Sequence, residues 1–229
     1  MATLFDFFVC ACMRVNKKRY IIGVVAVIFP LNQAFPDTFA LKQNRKDYLC
    51  TKLIKNIVMD AVELSKTLRE SARSNGLCNQ WYEEWKDDTN AETLVEKMYK
   101  GLDFVLKHHW PSNEFIKEHF DLAFRRKSKV FVDDSFSIVN PEQSLILGKS
   151  DIRIRFNAAS HGSIHVRDNS SLELTAKNRS FVIVHLYDNA HVDASQFDSA
   201  KIVLIRHSQD VTFIAGKNVT IKEELDYLK

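Results

Sequence analysis

Cysteine is scarce in this sequence and confined to one region. Cys10, Cys12, Cys50 and Cys78 are the only four among 229 residues, and none falls in the second half. That distribution excludes a disulfide framework. Cys10-x-Cys12 has the wrong spacing for a zinc site and lacks a second pair. The four are read as small apolar residues or free thiols. Net charge is nearly absent too: 32 basic residues against 29 acidic leave +3, so no global field points to nucleic acid. Gly and Pro number only 6 and 4. No Gly-rich phosphate loop, G-x-G-x-x-G or G-x-S-x-G occurs, and no cysteine stands beside an obvious base. No catalytic residue, resident metal or cofactor is nominated, and the sequence leans away from an enzyme.

Long hydrophobic runs are also missing. The longest, Tyr20–Leu31, has about a dozen residues where a spanning helix needs about 20. With the basic cluster Arg14, Lys17, Lys18 and Arg19 before it, the segment has the outline of a secretory signal. No clean small-x-small cleavage site follows, and a further apolar run precedes the basic cluster. Residues 1–40 are therefore read as a hydrophobic N-terminal segment that packs on the protein or extends from it. A cytoplasmic location is expected. The alternative is export or membrane association through residues 13–35.

What is present begins with helical periodicity over residues 41–128, a small helical domain. Leu49, Leu53, Ile57, Ala61, Leu64 and Leu68 fall on one face of a first helix. Gly76 suits its C-terminal end. A second helix over Leu77–Trp85 carries Trp81 and Trp85 at i, i+4 spacing, on one face. That pair reads as core, or as a ligand or partner surface. Thr89 or Asn90 caps a third helix through Leu94, Met98, Leu102 and Leu106, which ends before Pro111. Ser112 caps a last helix through Ile116, Phe120 and Phe124. The run Arg125–Lys129 reads as a solvated linker, with nucleic acid as the weaker reading.

Residues 129–229 read differently. From 141 to 220 the chain aligns in blocks of twenty without gaps. The fourth position reads Ser144, Ile164, Val184, Leu204; the sixth Ile146, Val166, Leu186, Arg206; the twelfth Ile152, Leu172, Val192, Thr212. Each block holds two short alternating strands. Asp168, Asp188, Asn178 and Asp198 occupy the corners, where left-handed backbone suits Asp and Asn. A repeat this short buries its apolar face only by stacking on its neighbours. The fold class expected is α+β: a small N-terminal helical domain followed by a short parallel β-solenoid with a 20-residue repeat. Arg206 and Thr212 break the apolar columns, so the last coil is expected to slip by one residue. A weaker coil starts near Phe131. An antiparallel sandwich is the alternative fold.

Candidate binding residues are few. His165 and His185 share a column on adjacent coils, close enough for a shared metal, though stacked surface histidines is the reading preferred. Asp168 and Asp188 stack in one corner column, a faint echo of carbohydrate-cleaving β-helices. Together with Trp81 and Trp85 they complete the candidate set.

The W-Y-E-E-W helix, the short helical region and the tail with Ser144–Lys149 and Asp168–Ser171 resemble a group of uncharacterised bacterial proteins. These pair a variable helical front with a β-repeat back. The resemblance covers roughly residue 75 to the end, implies the fold and brings no activity. The solenoid is also similar to bactofilins, which polymerise end to end; here the helical domain would block one end. The function expected is a non-enzymatic interaction or scaffold protein acting through its β-solenoid. A protein partner or self-association is expected. The alternative is a carbohydrate-binding or carbohydrate-active β-helix.

Overall fold

The structure is a computed structural model and describes residues 7–15, 18–27, 61–86 and 90–225. The chain divides into two compact units, residues 1–57 and 58–229. In the first unit, strands β1 (Phe7–Val15) and β2 (Lys18–Val27) pair antiparallel, with an irregularity between Cys10 and Cys12. Among the described residues no helix is long and apolar enough to cross a membrane. Part of the segment 13–35, and the helical stretch assigned to residues 48–60, lie outside the described residues.

Among the described residues the second unit starts with six helices: α1 (Ala61–Ser74), α2 (Asn79–Glu84), α3 (Ala91–Lys100), α4 (Leu102–His108), α5 (Asn113–His119) and α6 (Leu122–Lys127). Caps set their boundaries. Asn90 and Ser112 accept hydrogen bonds from the Thr93 and Phe115 amides at 2.9 and 3.2 Å, as their position before an apolar run predicts. Two helices expected to be continuous are broken. Gly101 separates α3 from α4, and Asp121 starts α6 by accepting from the Phe124 amide at 2.7 Å. The basic run is therefore the last turn of a helix and a left-handed Lys129, not a solvated linker.

Eleven strands of the second unit follow: β3 (Val130–Val132), β4 (Ser135–Val139), β5 (Gln143–Leu147), β6 (Asp151–Phe156), β7 (His161–Val166), β8 (Ser171–Ala176), β9 (Phe181–Leu186), β10 (His191–Gln196), β11 (Lys201–Arg206), β12 (Thr212–Ala215) and β13 (Thr220–Glu223). They form two parallel sheets, ordered β12-β10-β8-β6-β4 and β13-β11-β9-β7-β5-β3. This is a β-solenoid of about four turns. Val166 pairs with Leu186 and Leu172 with Val192, twenty residues apart. The expected slip is present: Val192 pairs with Phe213, one residue beyond the repeat. The coil at Phe131 is present as well, shortened so that Phe131 pairs with Ile146.

The inward columns Ile146, Ile164, Val184, Leu204 and their counterparts make one continuous core. The corners lie at Gly148, Asp168 and Asp188 and at Asn140, Asn178 and Asp198, all with positive φ. Asp, Asn and Gly tolerate that backbone at least cost.

Position 162 shows how the coils fill space. Its column holds Val182 and Ile202 above, yet here it is glycine, and the ring of Phe156 fills the room. A Cβ at Gly162 would stand 2.4 Å from Phe156 Cζ and 2.9 Å from the Pro141 carbonyl oxygen. The ring can shift but the backbone oxygen cannot. Gly162→Ala is expected to destabilise by roughly 1–3 kcal/mol, read by urea unfolding. Adding Phe156→Leu should recover part of that loss; a neutral Gly162→Ala would contradict this packing.

Helices and solenoid share a second core. Val130, Val132, Leu145, Leu147 and Tyr187 project outward from the sheet containing β3 and pack among Leu94, Met98, Val105 and Leu106. The helices thus cover the columns of Leu145 and Leu147, while Ile183 and Val203 stay half-buried.

Candidate functional site

Four places in the second unit gather side chains that could act: a cleft between helices, one corner column, a set of aromatic rings on the covered sheet and the last coil.

The cleft has a volume of about 330 Å³. It lies between α2 and the α3–α4 junction. Trp81, Trp85 and Trp110, the only three tryptophans of the chain, all line it. Helix α1 fixes two of them. Trp85 Nε1 donates to Ser65 Oγ at 3.0 Å, and Trp110 Nε1 to Ser71 Oγ at 3.2 Å. Trp85, Trp110 and Phe104 meet edge to face at 6.0 and 5.5 Å, the arrangement aromatic quadrupoles prefer. The predicted pair is therefore divided: Trp85 is core and Trp81 is 39% exposed at the rim. The third ring, Trp110, had no signal at helical spacing, because it follows the left-handed His109.

The corner column has a structural use. Asp168 Oδ2 accepts from the Gly148 amide at 2.6 Å, and Asp188 Oδ2 from the Asp168 amide at 3.2 Å. Asp198 does the same for the Asn178 amide at the opposite corner. Each carboxylate stitches its coil to the one below. Asp168 also takes Asn113 Nδ2 at 2.8 Å and Arg167 Nε at 3.1 Å. His109 Nδ1 stands 3.6 Å away. The atoms of His109, Asp168 and Asp188 are close enough for a divalent ion. However, Arg167 already supplies the positive charge there.

His165 and His185 do come together, with two partners sequence reasoning missed. Their rings stack at 4.6 Å and 6°. His207 lies beside His185 in nearly the same plane: centroids are 5.3 Å apart and His185 Nδ1 is 3.0 Å from His207 Nε2. Tyr187 stacks under His207 at 4.6 Å. The result is two layers of two parallel rings. His207 Nδ1 faces the Glu224 carbonyl oxygen at 3.1 Å, which can only accept, so this nitrogen carries the proton. Neutral His207 then accepts at Nε2, and His185 must donate from Nδ1. Burial, reinforced by the two neighbouring imidazoles, pushes His165 down to about 3. Burial and His207 push His185 down to about 4, while Glu224 and Asp103 pull it back. Burial lowers His207 as well. All three are neutral at pH 7 and act as flat core residues. The missed signal was column seven, where Leu147, Arg167, Tyr187 and His207 are too large for a bare turn.

The basic run is absorbed by the fold. Arg125 donates to the Phe120 and Val132 carbonyl oxygens, Arg126 grips Asp134 at 2.9 and 2.7 Å, and Lys127 meets Glu92. These contacts lock α5 and α6 over the first coil. Among the described residues the last coil has no such cover. Ile221 points into the core, opposite Leu204, yet is 43% exposed. Ile214 on the neighbouring edge is 62% exposed. Arg206 points inward there and turns to the Ser208 and Gln209 carbonyl oxygens and to Glu223.

Compared with protein-family models, curated proteins and solved structures, the chain matches none.

Proposed function

We propose that this chain is a non-enzymatic interaction protein whose solenoid is a rigid scaffold and whose last coil docks a second copy. One observation carries the reading. Ile164, Val184 and Leu204 are at most 1% exposed, while Ile221, which continues their column, is 43% exposed. Among the described residues the core is open at that end, and β12 and β13 each leave one edge unpaired. Such edges invite another chain.

At the opposite end α5 and α6 pack against β3, which hinders head-to-tail stacking. Two copies then meet through like ends, about a twofold axis, which gives a closed dimer and not a filament. With β13 antiparallel to its copy and Ile221 on the axis, Lys222 faces the partner's Thr220 and no like charges oppose. The Leu204 and Ile221 column then continues into the second molecule, flanked by the Arg206–Glu223 pairs.

Light scattering on the full chain across micromolar concentrations tests this. The mass should rise with concentration from 26.5 kDa toward twice that value. Ile221→Lys should hold it at the monomer while leaving the far-ultraviolet spectrum unchanged. A wild-type mass of 26.5 kDa throughout, or a dimer indifferent to Ile221→Lys, would overturn the proposal.

A further inference from the structure

We infer that the tryptophan-lined cleft between α2 and the α3–α4 junction is a binding site for a small planar aromatic anion. Its size sets the scale. At about 330 Å³ it stands at the lower end of the range for ligand pockets, enough for one or two fused rings.

Its walls set the shape. Trp85 and Trp110 have already spent their indole N–H groups on Ser65 and Ser71. They therefore offer the cleft only carbon faces and edges, set in the edge-to-face pattern with Phe104. A flat ring continues that pattern, whereas a branched chain would meet only part of it. Trp81 closes the rim. Its ring lies against Gly101, where an added Cβ would already be 3.5 Å from it. Trp81 is 39% exposed, so part of its ring stays open to an incoming ligand.

Charge sets the sign. Lys97 and Lys100 lie on α3 and line the cleft together with Asp103. Lys97 is occupied: its Nζ donates to the Lys86 carbonyl oxygen at 2.8 Å and sits 4.7 Å from the Trp85 ring centre. Asp103 is the one carboxylate of the lining, so the two lysines outnumber it. Lys100 remains exposed at the mouth as the cation nearest an incoming ligand. A carboxylate held by Lys100, with its ring among Trp85, Phe104 and Trp110, matches both the aromatic walls and the exposed cation.

Because no tryptophan lies elsewhere, each one reports on this cleft. The full chain labelled with 5-fluorotryptophan gives three ¹⁹F resonances. Titration with 1-naphthoate is expected to move them together. Isothermal titration calorimetry of the unlabelled chain gives the affinity, and 1-naphthalenemethanol and 1-naphthylmethylammonium serve as neutral and cationic comparisons. The order expected is anion tighter than alcohol, with the cation weakest. Lys100→Gln should weaken 1-naphthoate by roughly three- to tenfold and leave the alcohol unchanged. Trp81→Ala, a rim change that leaves the core intact, should weaken both by about tenfold. No shift of the three resonances at millimolar 1-naphthoate would overturn the site. Equal binding of anion and cation, or indifference to Lys100→Gln, would overturn the assignment of charge.

Discussion

Arg167→Ala is expected to destabilise the second unit by about 3–5 kcal/mol, the largest effect of any single substitution considered. Arg167 is 1% exposed. It leaves the solenoid in column seven and reaches into the helical layer. Its Nη1 donates to the Val105 carbonyl oxygen at 3.1 Å, and its Nε to Asp168 Oδ1 at 3.1 Å. Val105 and Leu106 belong to α4, whose C-terminal end gathers bare carbonyl groups and partial negative charge. The guanidinium thus caps a helix and neutralises a corner carboxylate with one side chain. The Val105 carbonyl keeps the His109 and Trp110 amides as donors, but removing the guanidinium takes the charge partner from the largely buried Asp168 carboxylate and leaves a void in the interface. Arg167→Met keeps most of the volume and should still lose most of the stability, which separates charge from packing. Urea unfolding provides the measurement. Tryptophan fluorescence reports the helices, far-ultraviolet dichroism reports both layers, and the two curves should coincide in the wild type. A loss under about 1 kcal/mol for Arg167→Ala, or separate transitions in the wild type, would contradict the fusion of helices and solenoid.

Acid is expected to have the second largest effect. His165 titrates near 3 in the folded chain and near 6.5 when unfolded. A depressed value means the unfolded chain takes up the proton first. The stability is complete above pH 6.5 and declines as pH falls toward 3. By pH 5, His165 alone should account for a loss of roughly 2 kcal/mol. His185, depressed to about 4 but more open to water, adds a smaller loss over the same range. Protonating either ring also places a cation beside two other imidazoles. Stability measured from pH 7 to pH 5 should fall, and His165→Leu should flatten the slope by about one histidine's share. Leucine suits the site, because that column already holds Leu145 and Ile205. A pH-independent stability over this range would show that these rings are solvated.

The solenoid was legible because its signal is one-dimensional. Each inward residue repeats at a fixed offset, and Asp, Asn and Gly mark each left-handed corner. Even the slip at Thr212 followed from two misplaced residues, Arg206 and Thr212. The helix caps at Asn90 and Ser112 were legible for the same local reason. What was not legible depends on neighbours far away in sequence. Gly101 and Asp121 break helices whose apolar spacing continues unbroken, since the chain must bend there to lie on the first coils. Column seven looked like turn residues, yet Leu147 and Tyr187 are buried by helices some forty or more residues earlier in the chain. Of the candidate site residues, His165 and His185 were correctly placed side by side. The in-plane partner of His185, His207, belongs to a different column on the next coil, so a reading along single columns hid it. The cleft was half visible: helical spacing paired Trp81 with Trp85, but Trp110 enters through a turn that carries no periodicity.

The packing, the open end and the ring array all depend on coils stacked one repeat apart. Glu173 and Asp193 point outward on β8 and β10 and are paired across one coil. Parallel neighbours of this kind lie roughly 5 Å apart. Spin labels placed at both positions in a cysteine-free background should give strong dipolar broadening in the electron paramagnetic resonance spectrum. Labels at 173 and 193 whose combined spectrum equals the sum of the two single-label spectra would contradict the solenoid itself.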